Sequence, residues 1–361
     1  MSDLGSTPLF YSAQPEIFLE GASHDGLSTG IISLMVEETT EGLARCEATF
    51  GNWGEAEGST GFLYFKRDIL DFGKNFAVQL GEGDAAGQVF DGRIMALEAR
   101  YPKLRPPEIT VLAEDRLQDL RMRRRTRTFE EITDAEMFQK IAADHSLQSA
   151  VDINGPTHKL LAQVNQSDLA FLRERARAID AEVWIEARRL QAKMRRRRRT
   201  NTLTLTYGQG LQEIVLCADL ANQQTTFAVS GWDIKAKEAI LHQARASVLG
   251  SELNGDLGGS SILQQALGER TQVLAHTQPL TSAEAQTIAE ANFRQLARRF
   301  VTGRALAQGD GRLRVGTHVT INGVGDLFEG EYYVSAVRHL FDRNTGYQCD
   351  FKVERAGINP A

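Results

Sequence analysis

Cysteine is nearly absent from this sequence: Cys46, Cys217 and Cys349 are the only three in 361 residues. They are far apart and odd in number, so neither a disulfide framework nor a Cys-x-x-Cys metal site is indicated. No window approaches the roughly 20 consecutive apolar residues that a membrane-crossing helix requires, so no membrane insertion by this chain is expected. Met1 to Gly30 carries acids and glycines and lacks a basic start and an apolar core, so no secretory signal is expected. A basic excess is missing too. With 41 Lys and Arg against 47 Asp and Glu, the net charge is −6. That sign argues against a dedicated nucleic-acid binder. The expected place of synthesis and folding is a reducing cytoplasm.

Catalytic signatures are also lacking. There is no His-Glu-x-x-His, no Gly-x-x-x-x-Gly-Lys-Ser/Thr and no Gly-x-Ser-x-Gly. Gly81-x-Gly83-x-x-x-Gly87 misses the dinucleotide spacing and reads as a turn. The histidines, at 24, 145, 158, 242, 276, 318 and 339, are scattered, and His339 lies in a strand as a core or interface residue. No catalytic, cofactor-binding or metal-ligating residue is expected. A hydrolase whose triad is defined by geometry alone stays open as an alternative.

What the sequence does contain is strand pattern. Glu16–Glu20, Gly30–Val36, Ala44–Phe50, Phe76–Leu80 and Val89–Ala99 are short branched or alternating runs between glycine and acid clusters. Such a series predicts a barrel or sandwich. After Pro102, Pro106 and Pro107 the character changes. Thr133-x-x-Glu136 is a capping box, followed by Met137, Ile141 and Ala142 at helical spacing. A second helix is predicted over Asp168 to Asp180, then strands at Glu182–Ile185 and Thr202–Tyr207.

The chain then returns to strand at Thr225–Val229 and Gly231-Trp232-Asp233. Residues 250 to 261 read as a flexible glycine-rich loop. Thr281-x-x-Glu284 caps one long helix, whose stripe of Ala285, Ala289, Phe293, Leu296 and Phe300 reads as a core face. The end is a hairpin, Glu331–Phe341 and Tyr347–Arg355 around Asn344-Thr345-Gly346. In its second arm Tyr347, Cys349, Phe351 and Val353 alternate with polar residues, which gives one dry face and one wet face.

Two arginine clusters stand out: Arg121, Arg123, Arg124, Arg125 and Arg127, and the unbroken run Arg195, Arg196, Arg197, Arg198 and Arg199. Three roles fit them: gripping phosphates, contacting an acidic neighbouring subunit, or lying in a solvated loop. Aromatics do not interleave them, so base stacking has no platform and nucleic acid is not the expected partner. A loop is expected for the second run, because Thr202 starts an alternating strand almost at once.

The spacing Tyr332-x-Val334-x-x-Val337-x-His339-x-Phe341, followed by Gly346-Tyr347 and closed by Arg355, resembles the end of the phage late control protein D family, related to the hub portion of VgrG. Phe90-Asp-Gly-Arg-Ile94, Asp115-Arg116-Leu117 through Phe129, Gln163-x-Asn165 through Leu172, and Ser230-Gly231-Trp232-Asp233 are similar to further segments of that family, in the same order.

The resemblance implies an α+β, mainly β fold. In it a first tube-like β-barrel (1–110) and a second one with a long helix (223–361) flank an inserted α/β domain (111–222). It further implies a non-enzymatic homotrimeric baseplate hub without cofactors. Such a hub adapts a six-fold inner tube to a three-fold spike supplied by a separate protein. The residues expected to matter then form surfaces that keep the barrel intact: Trp232 and Asp233 in their strand, and Tyr332, Val334, Val337, His339, Gly346, Tyr347, Phe351 and Arg355 in the hairpin. Tyr332 and Tyr347 are expected to be core anchors.

Overall fold

The computed structural model describes residues 14–56, 58–233, 236–275, 279 and 281–360, so His276 lies outside the described residues. The first alternating runs form strands β1 (Glu16–Leu19), β2 (Ile31–Thr39), β3 (Arg45–Gly51), β4 (Asn75–Leu80), β5 (Gly87–Arg100) and β6 (Glu108–Glu114). They pair in the order β1-β4-β5-β6-β3-β2. Val36, Cys46, Ala48, Phe50, Phe76 and Val111 point into one core from alternate positions, as the period of two requires.

The chain next leaves the sheet through Asp115. The inserted segment runs β7 (Arg124–Thr133), α1 (Asp134–Asp144), β8 (Gln148–Asp152), β9 (Thr157–Ser167), α2 (Asp168–Ala178), β10 (Ala181–Glu186) and β11 (Arg189–Met194). It has its own core around Met137, Phe138, Ile141, Phe171 and Leu172. The predicted capping box is formed in full by Thr133 and Glu136.

The segment is built twice over. A constant offset carries β7-α1-β8 onto β9-α2-β10 and Asp134 onto Asp168. It also carries the left-handed Glu131 (φ 45°) onto Asn165 (φ 47°), and Ser146 (φ 55°) onto Asp180 (φ 57°). Recurrence of left-handed non-glycine residues at matched turns marks a repeat of backbone path. Little sequence identity accompanies it.

The remaining strands return to the first core. They are β12 (Thr202–Tyr207), β13 (Gly210–Ala218), β14 (Thr226–Asp233), β15 (Glu238–Arg245), β16 (Thr271–Leu274), β17 (Val301–Gln308), β18 (His318–Asn322), β19 (Gly330–Asp342) and β20 (Gly346–Arg355). β19-β18-β12-β13-β17-β20 close on themselves as a six-stranded barrel. β12 and β13, which lie before the expected boundary at 223, belong to this barrel. β19 uses one edge twice: Gly330–Tyr333 pairs with β18, and Ala336–Asp342 pairs with β2. One strand thereby closes the barrel and joins it to the N-terminal sheet, and the two share a single core in which Phe50 and Phe76 accompany Tyr347 and Phe351.

Outside the barrel, β14, β15 and β16 form a three-stranded sheet covered by the long helix α4 (Ser282–Arg298). Thr281 caps that helix as predicted. The segment expected as a flexible loop is largely ordered, with helix α3 at Gly259–Leu267. A Cβ on Gly259 would come within 2.5 Å of the Phe300 ring. The glycine there permits close packing, so its presence did not signal flexibility.

Candidate functional site

The final hairpin is built as a core element. Tyr332, Val334, Val337, Tyr347 and Phe351 are all buried. Tyr332 donates its hydroxyl to the Phe328 carbonyl at 2.6 Å, so its polar end is satisfied. Gly346 takes φ 71° at the turn, a left-handed conformation suited to glycine. Arg355 fastens the outgoing end: its guanidinium reaches Asp256 at 2.6 Å, the Glu329 carbonyl at 2.8 Å and Asn359 at 2.8 Å.

His339 is fully buried in the same hairpin, with Nδ1 2.8 Å from the Tyr347 hydroxyl. Burial, reinforced by the nearby Arg314 guanidinium, pushes its pKa down to about 4, so the imidazole is neutral. Arg314 is itself paired with the buried Glu38, whose carboxyl it holds below the usual range against the opposing effect of burial. These contacts lock β19, β20 and β2 together. They form no open site.

Trp232 and Asp233 stand elsewhere. They end β14, in the three-stranded sheet outside the barrel, and Trp232 is 53% exposed. The expected contribution of Trp232 to barrel integrity is therefore not what its position provides. Asp233 accepts the Ala236 N–H at 2.9 Å and shapes the turn after the strand.

The arginine run departs most from expectation. The segment is a short 3-10 turn, Arg195–Arg197, and not an open loop. Arg195 and Arg198 are buried. Glu182, on β10, takes Arg195 Nε at 2.8 Å, Arg198 Nη1 at 2.8 Å and the Tyr333 hydroxyl at 2.6 Å. Arg195 also pairs with Glu354 of β20 and lies over the Tyr333 ring, while Arg198 stacks 3.9 Å from Trp184. Burial with Glu182 beside it pushes the Tyr333 hydroxyl pKa upward. Arg197 and Arg199 make exposed pairs with Asp152 and Glu331, so the solvated-loop reading fits only the exposed Arg196, Arg197 and Arg199. Its buried members join the insert to the barrel.

Three arginines of the first cluster are likewise spent on carboxylates. Arg127 meets Asp168 at 2.8 Å and Asp144 at 2.6 Å, Arg125 meets Asp168 at 3.3 Å, and Arg121 meets Glu114 at 2.5 Å. Arg124 donates to the Asn165 carbonyl at 3.0 Å, while Arg123 is exposed. Asp168 also receives His145 at 2.8 Å and Gln163 at 2.9 Å.

Its counterpart in the repeat, Asp134, is bound by Arg175 at 2.8 Å and His158 at 2.9 Å, both from the second copy. His158 extends to Glu284 of α4 at 2.7 Å. Each repeat's first helical aspartate is thus satisfied mainly by cations of the other repeat. Burial raises the pKa of both carboxyls, but the hydrogen bonds and positive neighbours outweigh it, and both are held below the ordinary range. Sequence reasoning missed this exchange. Its signal was the recurring Thr133-Asp134 and Ser167-Asp168 pairs at the two helix starts.

No helix among the described residues is long and apolar enough to cross a membrane. Among the same residues, no group of three His, Cys, Asp or Glu side chains is arranged to hold a metal ion. The organised polar groups are structural ties between layers.

The fold is shared with tail proteins. The 43 kDa tail protein of prophage MuSo2 from Shewanella oneidensis superposes with a TM-score of 0.69 at 12% identity, over 96% of this chain and 99% of that one. A tail protein from Neisseria meningitidis MC58 gives 0.70 at 12%, over 96% and 98%. The Escherichia coli c3393 protein, a component of the type VI secretion system similar in structure to the T4 tail proteins gp27 and gp5, gives 0.58 at 11%, over 96% and 79%. No curated protein matches the sequence. The resemblance read from the sequence is thus met in the fold, which this chain shares with these tail proteins. Residues 15–342 match the family model described as Alg8 N-terminal domain, and the chain belongs to that family.

Proposed function

We propose that this chain is the structural hub of a contractile phage tail or phage-like injection system, a homotrimeric ring that adapts a six-fold inner tube to a three-fold spike. The observation that carries the reading is the span of the fold likeness, which extends over 96% of this chain and nearly the whole of two tail proteins. In this reading the N-terminal sheet acts as the first of two tube-like barrels, so that three copies present six similar faces. The work is mechanical, without catalysis or cofactor. The partners are further copies of the chain, an inner-tube protein, a separate spike and other baseplate proteins, in the baseplate of a tail or injection particle. The arginine clusters support this over nucleic-acid binding, because the carboxylates of the chain itself already occupy most of their guanidinium groups.

Light scattering on the purified chain tests the proposal, with and without its candidate spike. A native mass of three times 39.9 kDa, and capture of a spike by that species, are expected. A well-folded monomer with no affinity for any spike would overturn the reading.

A further inference from the structure

Two unpartnered surfaces of the chain have opposite character. The first is an aromatic platform on the loops that follow β3 and β5. Phe62 and Phe65 stack at 4.7 Å, Trp53 meets Phe62 edge-on at 5.2 Å, and Tyr101 lies 6.4 Å from both phenylalanine rings. All four are exposed, Tyr101 at 63%. Buried Asn52 fixes the platform by accepting the Leu63 and Tyr64 N–H groups at 3.0 and 2.9 Å. Lys103 and Arg105 stand exposed beside Tyr101 and make no ion pair among the described residues. An aromatic cluster held rigid in water, with cations at its rim, has the make-up of a contact hot spot.

The second surface is on the barrel. β13 pairs along one edge with β17, but its other edge meets β12 only at Gly210 and Leu211. From Gln212 to Ala218 that edge has no strand partner among the described residues. Tyr207, Val215 and Leu327 are exposed there, beside half-buried Ile214, Leu216 and Phe328. Its exposed charges are Glu213 and Asp326, neither in an ion pair among the described residues. The neighbouring Arg304 is already held by Asp350 at 2.7 Å. An open, apolar strand edge is a pairing hazard that native proteins cover.

We propose that the platform of one copy docks on the β13 edge of the next copy, so that Lys103 and Arg105 face Glu213 and Asp326. The argument for a second copy is complementarity. One surface is aromatic with a basic rim, the other is apolar with an acidic rim, and every copy carries both. Because the two surfaces differ, the contact is head-to-tail, and such contacts repeat until a ring closes. This inference rests on the hub reading and assigns it a subunit interface.

The test uses three variants of the full chain, with native mass followed against concentration. Lys103→Glu with Arg105→Glu, and separately Glu213→Lys with Asp326→Lys, should each weaken self-association by roughly tenfold or more, because like charges then face one another. All four side chains are exposed, so circular dichroism should show an unchanged fold. Combining the four substitutions in one chain restores opposite charges at the contact and should recover the oligomer. A wild-type oligomer that ignores both single-surface variants, or a combined variant that fails to regain it, would sink this interface while leaving the hub reading standing. A wild-type chain that stays monomeric throughout and captures no spike would remove both.

Discussion

At the residue scale the hairpin shows how a histidine can be essential to packing and idle chemically. His339 has no access to solvent, and its pKa of about 4 lies below its value of 6.5 in an open chain. The unfolded state therefore binds the proton more tightly between those two values. Stability contributed by the neutral ring is full above pH 6.5 and is lost as the pH falls toward 4. At pH 5 the loss from this residue should be about 2 kcal/mol relative to pH 7.5. Denaturant unfolding of wild type and His339→Gln at both pH values measures it, since the amide keeps a polar partner for Tyr347 but does not titrate. Equal losses in the two proteins would show that some other group carries the acid sensitivity. The sequence disclosed His339 as a strand residue. Its neutrality depends on burial and on Arg314, which only the folded chain brings to it.

At the scale of elements, legibility followed periodicity and capping. The helices after Thr133 and Thr281 were visible because a capping box and an apolar stripe are local patterns. Helix α3 was missed, since Gly258-Gly259-Ser260-Ser261 suggests a loop until Phe300 and Gln223 are known to lie against Gly259. Replacing Gly259 with alanine should destabilise the protein by about 1–3 kcal/mol, the usual range for overpacking a tight contact. A thermal melt would read this as a lowered Tm, whereas an unchanged or raised Tm would mean that Phe300 can move aside. The repeat within the insert was hidden for a different reason. Its two copies share backbone path, a helix-start aspartate and buried apolar pairs such as Met137 with Phe171 and Phe138 with Leu172, but few identical residues, and Ile141 falls opposite Arg175. With so few identities, the repeat shows itself only when the matched left-handed turns are seen.

At the scale of the whole molecule, β19 and Glu182 determine whether the parts behave as one. The shared strand β19 unites the N-terminal sheet and the barrel in a single core, so they should unfold together. The insert has a separate core, and buried polar ties converge on Glu182 where it meets the barrel: Arg195 and Arg198 on one side, Tyr333 on the other. Sequence reading saw five consecutive arginines and could not see this carboxylate, which lies in a different strand. Glu182→Ala would leave two buried guanidinium groups short of a partner, a loss of about 3–5 kcal/mol where a buried pair is broken on one side. Because that loss falls at the boundary between cores and not inside either one, calorimetry should show the insert melting ahead of the barrel as a second transition. A single transition merely shifted to lower temperature would mean that other contacts couple the cores, chiefly Arg298 with Asp180 at 2.5 Å and His158 with Glu284 at 2.7 Å. Either result locates the coupling in named ion pairs, and adding Arg298→Ala to the Glu182 variant should then separate the two transitions.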